Sequence, residues 1–368
     1  MALIDKVVKR ALTCVMATAV LASFAAHAED VHVLNWKGYG TDEPWALKEF
    51  EARTGYHVVN DFFNSEQEML TKLRTNPGAY DVVMVNSAFN QQAREQNLLQ
   101  PVDVNGMPNV ADLDPKMRHS HLLEIGGQSY GIPWVWGVTS FAVNDTKIHP
   151  VPDTIQALWD PAYKGHVGMR DDAIEAVQFA ALATDQNIND IKNLDAVKSK
   201  LKALTSQLKT FWSSENDWNQ YVASGVFYVS TYWSGSAARA RNKFNLPVTF
   251  VIPKEGAIGW LDSLSIPKGA HNVNGAKAFI NYMIDPGFYT QWDSRVGAPV
   301  SANTKAVAAL PAAAFNRAVL ANPAVQSRIQ VVYEIGCPLS LPICRVPISR
   351  APTTPTRRRG RGPGSISG

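Results

Sequence analysis

Trp260 and Asp262 stand two residues apart in Gly259-Trp260-Leu261-Asp262-Ser263, an indole and a carboxylate that an extended segment turns to one face. That pair suits a small organic cation. The ring's negative face attracts the charge, and the carboxylate accepts its N–H bonds. Three further stretches at the ends of expected strands supply one or the other kind of group, aromatic rings in Asn35-Trp36-Lys37-Gly38-Tyr39 and Tyr232-Trp233-Ser234-Gly235-Ser236 and carboxylates in Asp171-Asp172-Ala173-Ile174-Glu175. Asp172 and Glu175, three apart, would share a face at a helix start. Each group also has a plainer use. Asp171 and Asp172 can cap a helix, Glu175 can favour its positive end, and the tryptophans can pack.

The elements that must position these groups follow from hydrophobic periodicity. Val31 to Leu34, Tyr56 to Phe62 and Asp81 to Val85 read as strands, the last wholly apolar between polar neighbours, as in a buried parallel strand. Glu43 to Arg53, stopping at Gly55, and Ser65 to Thr75 read as helices, the second opened by a Ser65–Glu68 capping box. This β-α-β-α-β rhythm predicts an open α/β sheet whose ligands bind beyond the carboxyl ends of the strands, where Asn35 to Tyr39 and Asn86 to Phe89 lie. A second α/β unit starts after Tyr130 to Gly137. It has strands at Phe141–Asn144, Val226–Thr231 and Val248–Ile252, and helices at Thr154–Trp159, Glu175–Thr184 and Leu194–Leu208. Pro253 to Gly256 makes a return connection, followed by a strand at Trp260–Pro267 and a helix at Asn274–Ile284.

Both ends differ from this body. Residues 1–28 combine Lys6, Lys9 and Arg10, an apolar run from Ala11 to Ala25 and an Ala26-His27-Ala28 cleavage site, the pattern of a secretory signal peptide that is removed on export. Residues 337–368 hold six Pro and six Arg with no Asp or Glu, the composition of a disordered basic tail, and one that a shifted reading frame would produce. The leader carries +2 and the tail +6 of a whole-chain charge of +3, which leaves residues 29–336 acidic, at −5. Nucleic acid is therefore not an expected partner. Cys14, Cys337 and Cys344 all lie in the ends, so the body has neither a disulfide nor a thiolate site. Its 308 residues exceed a usual single core, and two lobes are expected.

Catalysis has little support. Asp172 and Asp262 could be paired as the acid and base of a glycoside hydrolase, but no nucleophile elbow, Walker loop, Rossmann glycine pattern or His-Glu-x-x-His is present. No cofactor is called for. A metal-binding role would fall to His119-Ser120-His121, a loop beside Arg118 that reads as solvated, and no metal site is expected.

Several longer blocks carry a family resemblance. Asn35-Trp36, Tyr130-Gly131-Ile132-Pro133 through Trp136-Gly137, Trp159 through Gly165, Asp171-Asp172-Ala173, Trp233 through Ala237, and Pro253 through Leu264 resemble the periplasmic spermidine/putrescine-binding proteins of bacterial ABC importers, in order from about Val31 to Gly336. The resemblance implies a two-lobed periplasmic-binding-protein fold of type II. Each lobe would be an open mixed sheet flanked by helices, closing over a polyamine in the interlobe cleft. Lobe 1 is expected at residues 29–135 and 253–301, and lobe 2 at 136–252 and 302–336.

Carried over by position, Trp36 and Tyr39 would form part of an aromatic box, and Ser87 and Phe89 would follow the third strand. Asp172 and Glu175 would receive ammonium groups, Trp233 would stack on the methylene chain, and Trp260 with Asp262 would supply a further wall and anion. Three positions depart from the family's pattern: Gly38 replaces an acidic residue beside the cationic Lys37, Phe89 replaces a tyrosine, and Ala298 replaces a cleft tyrosine. Fewer anions and hydroxyls favour a putrescine-like diamine over spermidine. A Lys37 turned toward the ligand would instead favour an amino acid, γ-aminobutyrate or an aminophosphonate. The implied protein is a periplasmic monomer that serves an inner-membrane ABC permease and has no enzymatic activity. The resemblance implies a docking helix beyond Gly336, and the Pro/Arg tail is expected to stand in its place.

Overall fold

The computed structural model describes residues 29–332. The expected leader and basic tail, with all three cysteines, lie outside the described residues. The chain divides into two compact units. Within the described residues the first comprises 29–137, 259–327 and 331–332, and the second 138–258 and 328–330. Residues 302–327 thus pack with the first unit, not with the second as the sequence suggested, and 253–258 belong to the second. The helix Thr304–Ala309 explains the first difference: it packs against the helix Pro286–Arg295, and Asn303 at its start donates to the carbonyl of Ile284 at 2.9 Å.

In the first unit, strands β1 (Asp30–Asn35), β2 (His57–Phe62) and β3 (Val82–Asn86) are parallel, with β1 between the other two. The helices Pro44–Thr54 and Glu66–Thr75 make the crossovers. Ser65 caps the second by accepting from Glu68 N–H at 3.2 Å, while Glu68 reaches back to the N–H of Asn64, one residue beyond the expected capping-box partner. A short β4 (Leu99–Gln100) and a hairpin of β5 (Glu124–Ile125) with β6 (Gln128–Ser129) precede β7 (Ile132–Asn144), whose thirteen residues are all buried. The sequence reading recognised only the end of β7, because Pro133 and Gly137 look like punctuation and full burial leaves no alternation to mark the strand.

The core of the first unit is aromatic. Phe50 meets Phe279 edge-on at 5.3 Å, and Trp134 stacks on Trp292 at 5.4 Å while donating its indole N–H to the carbonyl of Met283. Rings of this size bury ~150–250 Å² each, or roughly 4–6 kcal/mol apiece at ~25 cal/mol per Å². A polar clamp supplements them. Buried Asp81 accepts backbone N–H bonds from His32, His271 and Asn272 at 2.8–3.0 Å, tying the start of β3 to the connection that leads into the helix Val273–Met283.

In the second unit, β8 (Val167–Arg170) pairs in parallel with both β9 (Leu208–Trp212) and β10 (Val229–Trp233). β10 and β11 (Val248–Val251) run antiparallel to β7. The helices Ala173–Leu182, Leu194–Gln207, Glu215–Ala223 and Ser234–Asn242 flank these strands. Trp212, Trp218, Phe227 and Tyr232 form the core, with Trp218 stacked on Tyr232 at 3.6 Å and donating its N–H to Ser230. The remaining strands are β12 (Ala257–Pro267), β13 (Val300–Ser301) and β14 (Ile329–Val331). β12 lies antiparallel to β3 and brings Asp262 opposite Asn86. No helix among the described residues is long and apolar enough to cross a membrane.

Candidate functional site

In the first unit the loop after β1 is organised by one side chain. Asn35, fully buried, accepts from Trp36 N–H at 2.8 Å and donates to the Tyr39 carbonyl and the Thr41 hydroxyl at 3.1 and 3.0 Å. This closes the turn that presents the Trp36 and Tyr39 rings. Trp36, half-buried, rests edge-on against Phe63 at 4.7 Å. Tyr39 meets Trp134 and Trp292 edge-on at 5.4 and 6.0 Å. Between them Lys37 and Gly38 are exposed, and Gly38 takes φ +74°, a left-handed backbone that favours glycine over an acidic residue.

Tyr39 carries its hydroxyl to Asp262, donating to Oδ2 at 2.8 Å, while Asn86 donates its amide to Oδ1 at 2.9 Å. Asp262 is only 5% exposed. Burial pushes its carboxyl up to about 7, against the lowering effect of the two hydrogen bonds, and the charge of Glu66 adds to the rise. Among the described residues no basic side chain is paired with it. Two residues earlier on β12, the half-buried Trp260 lies over Gly137. A Cβ there would stand 2.3 Å from its ring, so this close approach requires glycine.

Asn86 has a second task. Its carbonyl oxygen accepts from Ala88 N–H at 3.0 Å and so caps the helix Ser87–Glu95. Ser87, expected on the loop after the third strand, is therefore helical, as is Phe89, and both are buried. The Ser87 hydroxyl is buried without a hydrogen-bond partner. Ala298 is also fully buried, its carbonyl accepting from Asn316, and it presents no exposed surface. His119 has a carboxylate partner that the sequence reading missed, Glu124 at 2.7 Å, but no metal-binding cluster occurs among the described residues.

The second unit gathers Asp172, Glu175 and Trp233 around a residue the sequence reading passed over, Arg170. Parallel strands β8, β9 and β10 end in Arg170, Trp212 and Trp233. The Arg170 guanidinium lies 5.0 Å from the Trp233 ring centre, 3.4 Å from Asp172 and 3.5 Å from Glu175. Trp212 braces Trp233 edge-on at 5.0 Å.

Asp172 is not on a helix face beside Glu175. It is the N-cap, accepting from Ile174 and Glu175 N–H at 2.9 and 3.0 Å, which leaves its other oxygen toward Arg170. Glu175 is 6% exposed, and burial pushes its carboxyl up to about 7 although Arg170 opposes the shift. Its Oε1 has no hydrogen-bond partner. Arg170 was legible in Met169-Arg170-Asp171-Asp172, but a basic residue next to two acids reads as a solvated ion pair.

Comparison with known proteins matches this chain to solute receptors. The family model described as bacterial extracellular solute-binding protein covers residues 78–319. The spermidine/putrescine-binding periplasmic protein of Escherichia coli (strain K12) is 35% identical over 286 residues, 76% of this chain and 80% of that one. The putrescine/agmatine-binding protein of Pseudomonas aeruginosa is 27% identical over 332 residues, 85% of this chain and 88% of that one. Among solved structures, the spermidine/putrescine ABC transporter substrate-binding protein of Streptococcus pneumoniae superposes with a TM-score of 0.72 at 23% identity, covering 83% of this chain and 93% of that one. That likeness bears out the periplasmic-binding-protein fold expected from the sequence.

Proposed function

The chain belongs to the bacterial extracellular solute-binding proteins, and on that footing we propose that it captures a polyamine, a putrescine-like diamine before spermidine, and delivers it to an ABC permease. In this reading residues 1–28 direct export to the periplasm, where the protein works as a monomer, without a cofactor and without turning its ligand over. One observation carries the choice of ligand class. Asp262 is a buried carboxylate held by two neutral donors, with Glu66 as a further acidic influence and no basic partner among the described residues. A carboxylate desolvated without a counter-charge is costly. An ammonium group brought by a ligand supplies that counter-charge, and Trp260 on the same strand offers it an aromatic face.

The magnitudes are adequate. A charge-assisted hydrogen bond nets ~1.5–3 kcal/mol and an aromatic–cation contact ~0.5–2 kcal/mol, so several of each can exceed the costs of ammonium desolvation and ligand ordering. Micromolar affinity corresponds to about −8 kcal/mol.

A thermal-shift panel tests the proposal, since a ligand that binds only the folded state raises Tm. Putrescine and cadaverine are expected to raise Tm more than spermidine, and all three more than γ-aminobutyrate, arginine, an aminophosphonate or ferric iron. A rise with γ-aminobutyrate or the aminophosphonate alone would replace the diamine with an amine that also bears an acid. No response to any amine would overturn the reading.

A further inference from the structure

Arg170 already stands against the two carboxylates, Asp172 and Glu175, to which the polyamine reading gives an ammonium group in the second unit. Its guanidinium faces the Trp233 ring at 5.0 Å and both carboxylates within 3.5 Å. The strand ends fix it there: the Arg170 backbone N–H donates to the Thr231 hydroxyl at 3.1 Å, and Arg170 pairs in register with Trp212. The cluster is not saturated by this resident cation. Glu175, more than nine-tenths buried, keeps Oε1 without a hydrogen-bond partner, and both contacts to Arg170 are long for charge-assisted bonds. A donor from outside still has an acceptor to reach.

We infer that Arg170 is a specificity-determining residue, an internal counter-cation that offsets part of the negative charge of the Asp172–Glu175 pair and thereby discriminates against amines with more ammonium groups. The inference rests on the polyamine reading given above and deepens it. A ligand's attraction to the pair scales with its own charge, and so does its repulsion by a fixed guanidinium. Spermidine, with three ammonium groups, therefore loses more to Arg170 than putrescine, with two. The guanidinium also competes for the Trp233 face at the effective concentration of a tethered group, which any free amine must exceed. A purely structural Arg170, one that only steadies Trp233, would weaken or spare both amines alike when removed.

Titration calorimetry of the full chain with putrescine and with spermidine reads the difference. Arg170→Gln is expected to tighten spermidine by at least about tenfold and putrescine by less, raising the spermidine-to-putrescine affinity ratio about threefold or more. Asp172→Asn moves the charge the other way while keeping a residue that caps the helix, and should lower the same ratio by about threefold. It also provides the test if Arg170→Gln fails to fold. A ratio indifferent to these substitutions, in variants whose Tm and circular dichroism match the parent, overturns the inference and leaves the polyamine reading standing. Failure of the unmodified protein to bind either amine overturns both.

Discussion

Tyr39 and Asp262, 223 positions apart in the chain, are joined by a 2.8 Å hydrogen bond from the phenol to the buried carboxylate. The bond links a loop shaped by Asn35 to a strand laid against β3. It leaves Tyr39 with an aromatic edge against Trp134 and Trp292, and Asp262 with two neutral donors. Neutral donors orient an anion without discharging it, which is what a receptor for cations requires.

Asp262→Asn should therefore weaken putrescine binding at least about tenfold, roughly 1.4 kcal/mol or more, by removing the anion from a desolvated site. Tyr39→Phe should cost less, on the order of 1 kcal/mol, because the charge remains and only one orienting bond is lost. Calorimetry that ranks the two variants in the opposite order would show that the phenol, not the carboxylate, dominates.

Protonation gives a second handle. Burial raises the folded-state carboxyls of Asp262 and Glu175 to about 7, from 3.8 and 4.5. Between those limits the folded state binds more protons than the unfolded chain. Stability from these groups is thus fullest in acid and falls as pH rises toward 7, by at most ~1.4 kcal/mol per pH unit for each group. The ligand-free protein should lose more Tm between pH 5 and pH 7.5 than an Asp262→Asn/Glu175→Gln variant. An ammonium ligand needs the ionised forms, so putrescine should bind more tightly at pH 8 than at pH 6. At pH 6 it should release protons, measurable as a buffer-dependent heat.

Gly137→Ala tests the seat of Trp260. The added methyl would meet the indole at 2.3 Å, so the ring must move. Weaker amine binding with an altered tryptophan emission is expected, while far-ultraviolet circular dichroism stays that of the parent. Unchanged affinity would mean that the position of Trp260 does not matter to the ligand.

Asp81→Ala separates stability from binding. It strands three backbone N–H groups, those of His32, His271 and Asn272, and should destabilise the protein by roughly 2–4 kcal/mol in urea unfolding. Amine affinity measured well below the unfolding transition should not change.

Much of the framework was legible because it obeys simple periods. The strands at Val31, Val58 and Val82 and the helices between them announce themselves by apolar spacing, a glycine stop and a serine cap. The long strand β7 did not, since its full burial removes the alternation that marks a half-exposed strand. The helix Ser87–Glu95 was missed because it begins directly after β3 with no connecting residues.

Trp260 and Asp262 in the first unit, and Asp172 and Trp233 in the second, could be singled out from residue type alone. How they pair could not. Tyr39 reaches Asp262 only through the turn that Asn35 holds, and Arg170 joins Trp233 only because two strands distant in sequence end side by side.

Asn86 shows how little freedom such a position retains. Asparagine, aspartate, serine and threonine begin helices comparably well, so helix stability alone leaves the choice nearly open. Here one side chain must offer an oxygen to Ala88 and a hydrogen to Asp262 from two different atoms. Aspartate would set a second negative charge against Asp262, and serine or threonine present a single oxygen where two atoms are needed. A library randomised at position 86 and selected only for folding should recover all four residues; the same library selected for amine capture should collapse to asparagine.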